Sequence, residues 1–207
     1  MKKIGVIKSN RLWSLEGFLN CKKDVSIGDR VLIPAFTVPA CEIPGEEIMQ
    51  FSERQIQSDE AIVINKTEKE IVLIFNHCLF SSAVDFNGQR DFPKTQLAIY
   101  LQTKFLQSLN EQGIPAVTCD LPSYDEVFGE NRLDFFKSGK NRIGFDFDED
   151  FSVWYWLSTL YKGAASAAYF GNVGNGGLAD YYGAGVTSGY VRPRFVLAAW
   201  AEPERIG

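Results

Sequence analysis

Residues 166–195 read SAAYFGNVGNGGLADYYGAGVTSGYVRPRF, a stretch almost free of Leu, Ile and Lys and crowded with Gly, Ala, Tyr and Asn. A flexible linker is enriched in Pro, Ser, Glu and Lys and does not carry a large apolar residue every few positions. Here Tyr169, Phe170, Val173, Leu178, Tyr181, Tyr182, Val186 and Tyr190 punctuate the glycines. The stretch therefore reads as short strands joined by turns. Asn175-Gly176 predicts a type I′ hairpin turn, because both central positions of that turn need positive φ. The run VRPRFVLAAW (191–200) predicts a closing strand, with Pro193 at an edge or bulge because it cannot donate to a ladder.

Upstream, GFDFDEDFSVWYWLS (144–158) continues the strand character. Alternation places Phe145 and Phe147 on one face and Asp146, Asp148 and Asp150 on the other. The D-x-D-x-D order invites a calcium reading. An EF-hand loop would need Gly at 151 and Glu at 157, where the chain has Phe151 and Leu157, so a solvated acidic edge is expected and these three carboxylates are weak metal candidates. Trp154 and Trp156 share one face of the buried strand that follows.

Two helices are expected before this strand. Residues 93–112 carry Leu97, Tyr100, Leu101, Phe105 and Leu109 at helical spacing, with Gly113 as a stop. A second helix opens at Ser123, where Glu126 completes a capping box, and runs toward Phe136 with Gly129 as a weak point. Earlier still, VSIGDRVLIPAF (25–36) reads as a strand entered through a turn. EAIVINKTEKEIVLIFNHCLF (60–80) reads as a strand pair around a polar turn at 65–70. The sum is an α+β fold: two helices packed on a small, twisted, mostly antiparallel sheet, with a loop-rich C-terminal half and its first and last strands near each other.

The chain has 207 residues, 45% of them hydrophobic, which suits one packed core. A net charge of -5 argues against nucleic-acid or anionic-membrane partners. No apolar run reaches signal-peptide or membrane-spanning length, so the expected location is a reducing cytoplasm, or a virion assembled there. Cys21, Cys41, Cys78 and Cys119 are widely spaced with no C-x-x-C pair and read as free thiols. A zinc site from Cys41, His77, Cys78 and Cys119 is disfavoured because adjacent strand residues face opposite ways. His77, the only histidine, reads as structural.

Several strings in this order resemble a known superfamily. They are Trp154-Tyr155-Trp156-Leu157, then Ala167-Ala168-Tyr169-Phe170 with Gly174, then Gly189-Tyr190-Val191-Arg192-Pro193, preceded by LPSYDEVF (121–128) and QLAIYLQTKFLQSLN (96–110). Together they resemble C-type-lectin-like domains of the bacterial and phage branch, related to formylglycine-generating enzymes and retroelement-diversified variable proteins. The likeness spans roughly residues 28–198. Two departures stand out: Ser158-Thr159-Leu160 replaces the Arg-Ser-Pro of the relatives, and Tyr190 is an apparent insertion. Residues 1–27 have no counterpart and are expected to form an N-terminal arm or strand before a single domain over 28–207.

The resemblance implies a non-catalytic binding module of a phage or prophage, on a virion surface or in its assembly, with ligands held by the C-terminal strands and loops. Tyr among Gly and Asn suits that role on physical grounds, giving large amphipathic contact at low entropy cost. Tyr169, Asn172, Asn175, Asp180, Tyr181, Tyr182 and Tyr190 are the expected contact residues for a protein or glycan, while Trp154, Trp156, Arg192 and Pro193 are expected to be structural. The competing reading is that the tyrosines only cover the sheet. Two other functions stay open: a cytoplasmic protein that inhibits or scaffolds a host protein, and an enzyme of unknown chemistry. Formylglycine-type copper chemistry needs C-terminal cysteines, and the last one here is Cys119. No cofactor is implied, and an oligomer or larger assembly is compatible.

Overall fold

The two apolar runs flanking the polar turn form the hairpin Asp59–Lys66 and Glu70–Phe75, the centre of a six-stranded sheet. The computed structural model describes residues 10–42, 49–163 and 167–198. Across this main sheet the order is Leu12–Ser14, Arg30–Ile33, Asp59–Lys66, Glu70–Phe75, Arg194–Ala198, Ala116–Asp120. All neighbours are antiparallel except the first pair. The first and last strands share this sheet but are not neighbours: Leu12–Ser14 and Arg194–Ala198 are separated by three strands. Ala199 and Trp200 of the expected closing strand lie outside the described residues.

The central hairpin is apolar on both sides because both faces are covered. Ala61, Val63, Ile71, Leu73 and Phe75 enter one buried cluster, and Ile62, Ile64, Val72 and Ile74 enter another. The long helical segment covers the first face. It opens at Gln96, capped by the Thr95 hydroxyl, passes through a π-helical turn at Leu101–Phe105 and ends at Glu111. Gly113 then turns the chain at a φ of 80°, a position that glycine takes without a Cβ penalty. Residues 10–27 are tied in rather than trailing: Leu12–Ser14 edges the main sheet, and Phe18 of the helix Leu15–Asn20 is fully buried.

The helix expected from Ser123 to Phe136 is a single turn, Tyr124–Val127. Its capping box forms as read, with Ser123 and Glu126 each accepting from the other's backbone amide. Gly129 then folds back on the turn, where a Cβ would lie 2.6 Å from the Asp125 Cα. The chain reverses there and delivers Phe135 and Phe136 to the second cluster through the 3-10 turn Asp134–Lys137.

A second sheet of five strands is ordered Phe80–Ser81, Tyr190–Val191, Tyr155–Leu160, Tyr169–Val173, Ala179–Gly183. Arg192 and Pro193 carry the chain from this sheet to the last strand of the main one, so the missing proline N–H interrupts no ladder. The hairpin at Asn175-Gly176 is not type I′. Gly177 accepts no such symmetry: it alone in the turn has positive φ (76°), with bonds from Gly177 N to Gly174 O and from Gly174 N to Leu178 O. This is a three-residue loop with a left-handed glycine at its end, the next commonest hairpin connection. The architecture as a whole is mixed α+β and rich in strand.

Candidate recognition groove

The register of the second sheet decides where its tyrosines go. Tyr169 pairs with Gly183, Gly171 with Tyr181, and Val173 with Ala179, so these side chains share one face. Phe170 with Tyr182 and Asn172 with Asp180 belong to the other. Trp156 stands opposite Asn172 on that second face. Adjacent Tyr181 and Tyr182 therefore point apart, and the expected contact residues do not form one surface.

On the first face, beyond the buried Tyr155, Leu157 and Val173, the sheet opens into a groove of about 550 Å³. Gly171 is on its floor, Tyr161 and Tyr181 stand on one side, and Tyr124 and Asp125 on another. Tyr161 and Tyr181 stack with ring centroids 3.8 Å apart and planes within 5°, and Tyr169 meets Tyr181 edge-on at 6.1 Å. The stack stays open to solvent, Tyr161 being 39% and Tyr181 43% exposed. The close Tyr161 hydroxyl raises the Tyr181 pKa. Tyr124 is fixed by its backbone amide, which donates to Thr159 Oγ1 at 2.9 Å. Asp125, Thr159 and Lys162 complete the lining together with Asp180, an exposed residue of the edge strand whose register faces the other side.

The other face is a support. Trp156 is fully buried and donates from Nε1 to the Ser82 carbonyl at 2.8 Å. Trp154 meets Trp156 at 4.9 Å, and Tyr182 packs on Trp154 at 4.8 Å. Asn172, expected as a contact residue, is fully buried, and neither of its side-chain polar atoms has a hydrogen-bond partner among the described residues. Tyr190 is half-buried against the second cluster, where burial raises its pKa. Asn175 is exposed in the hairpin loop, away from the groove lining. Of the seven expected residues, Tyr181 and Asp180 line the groove and Tyr169 supports it. Tyr124, Thr159, Tyr161 and Gly171 were missed. The signal for Gly171 and Tyr181 was their shared register, which needs the strand pairing to be known.

The acidic stretch does not stay extended. The strand ends at Asp146, whose Oδ1 accepts from the amides of Asp148 and Glu149, and Asp150 takes a φ of 51°. Asp148 pairs with Arg54, and Asp150 lies 3.9 Å from His77 Nε2, so the three carboxylates diverge. Among the described residues no three His, Cys, Asp or Glu side chains gather closely enough to hold a metal ion. His77 Nδ1 is 2.6 Å from buried Asp59, a bond that raises the His77 pKa against the opposing effect of burial. Its Nε2 faces the Asn76 amide at 3.5 Å, and no hydroxyl or thiol bonds to it among the described residues. The pair is a clamp between a main-sheet strand and the acidic loop. Cys41, Cys78 and Cys119 are buried free thiols, with burial pushing Cys78 up to about 12.

No family model, no curated protein and no solved structure matches the chain.

Proposed function

We propose that the chain is a non-catalytic recognition module of C-type-lectin-like kind, serving a phage or prophage virion or its assembly, and that it grips a protein or glycan partner in the tyrosine groove. One observation carries this reading: a solvent-open Tyr161–Tyr181 stack beside a side-chain-free floor at Gly171. Stacked rings present a rigid apolar wall with hydroxyl tips, which is how aromatic anchors give affinity without much ordering cost. The groove volume lies within the roughly 300–1,000 Å³ usual for ligand sites. The groove-facing rings replace the broader hairpin surface expected from the sequence.

The test is the double change Tyr161→Ala with Tyr181→Ala, read by glycan-array binding and by capture of a host protein at defined concentration. Wild type is expected to hold a partner in one of the two formats. The variant is expected to lose it with an unmoved melting curve. A variant that melts early, or that keeps its partner, would overturn the reading.

A further inference from the structure

The chain is acidic overall, yet the polar side chains lining one small cleft are all cations or amides, set among Gly28, Ile62, Phe135, Ile143 and Phe145. Its charged lining residues are Arg30, Lys140 and Arg192, joined by Asn10, Asn76 and Asn141, with no Asp or Glu among them. It shares no lining residue with the tyrosine groove. Arg192 is only 2% exposed. Its guanidinium donates to the carbonyls of Phe75 at 2.9 Å, Ile143 at 3.3 Å and Asn141 at 3.5 Å, and lies 5.5 Å from the Tyr155 ring centroid. Among the described residues neither Arg192 nor Lys140 forms an ion pair, whereas Arg30 shares Glu60 at 2.9 Å.

A buried charge met by carbonyl dipoles and one ring face, with no carboxylate in an ion pair, is incompletely compensated, and a counter-charge brought to it is correspondingly favoured. Arginine also offers planar paired donors that match oxyanions. The cleft holds about 150 Å³, room for about five waters at ~30 Å³ each. That admits one tetrahedral oxyanion with residual hydration. We propose that this cleft binds a phosphoryl group, with Arg192 at its inner wall and Lys140 at its mouth.

The full chain is titrated with sodium phosphate, and separately with O-phosphoserine, against sodium chloride at matched ionic strength and pH 7. Heat of binding and melting temperature are both followed. Phosphate is expected to bind once and saturably and to raise the melting temperature beyond the chloride control. Binding by phosphoserine as well would mean the cleft accepts a phosphoryl group carried on a larger molecule; binding by phosphate alone would assign it to the free anion. Lys140 is exposed, so Lys140→Glu should fold normally, weaken binding at least tenfold, and leave the melting temperature in chloride unchanged. Lys140→Arg should retain binding. A response to phosphate no larger than to chloride, or a Lys140→Glu variant with an unchanged saturation midpoint, would overturn the proposal.

Discussion

The two faces of the C-terminal sheet are made from alternate residues of the same strands, and they differ in nearly every physical respect. Tyr181 and Tyr182 are adjacent and each 43% exposed. One leans on another surface tyrosine over an open groove; the other covers Trp154 and, beneath it, a buried tryptophan. Equal exposure thus conceals unequal jobs. What separates them is the depth of material behind each ring, which only the strand register reveals.

The sharpest way to break this contrast is to remove the support. Trp156→Ala deletes a fully buried ring and leaves the Ser82 carbonyl without its donor, and it should cost about 3–5 kcal/mol in chemical denaturation. A loss under about 1 kcal/mol would mean the supporting face is not part of the core. Tyr182→Ala comes next. It forfeits an aromatic contact of about 0.5–1.5 kcal/mol while leaving partner affinity intact.

Tyr181→Ala should cost stability no more than Tyr182→Ala does, because its stacking partner Tyr161 is itself solvent-exposed, and should in addition weaken partner binding by about 2 kcal/mol. If Tyr181 and Tyr182 give the same pair of numbers, the distinction between faces fails. The smallest effect on stability is expected at the groove floor. A Cβ at Gly171 would come no closer than 3.5 Å, to the Thr159 carbonyl, an ordinary van der Waals contact, so Gly171→Ala should be nearly neutral. Gly171→Leu should stay folded and block the groove, read as lost binding at unchanged melting temperature.

Much of the scaffold was legible because it rests on local rules. The Ser123–Glu126 capping box, the helix stop at Gly113 and the central hairpin all follow from spacing and backbone preference within a few residues. The failures lie where a side chain or a distant contact overrides the local pattern. Asp146 turns its carboxylate onto its own chain and ends a strand that alternation would continue. The helix stops at Val127 and the chain folds back at Gly129 onto Asp125, an approach too close for any Cβ. The groove was hidden for a third reason. An irregularity between Trp156 and Leu160 shifts the register, so the face of Thr159 and Tyr161 cannot be counted from the tryptophans.

Glu126 has a consequence beyond its cap. While closing the box on Ser123 it also accepts from Arg194 of the last main-sheet strand, which Asp120 grips from the other side at 2.6 Å. Tyr124, one residue past Ser123, is thereby anchored to the central sheet at its root and to Thr159 through its own amide. The groove wall is preorganised by the same ion pairs that close the fold, so little of the binding energy should be spent on immobilising it.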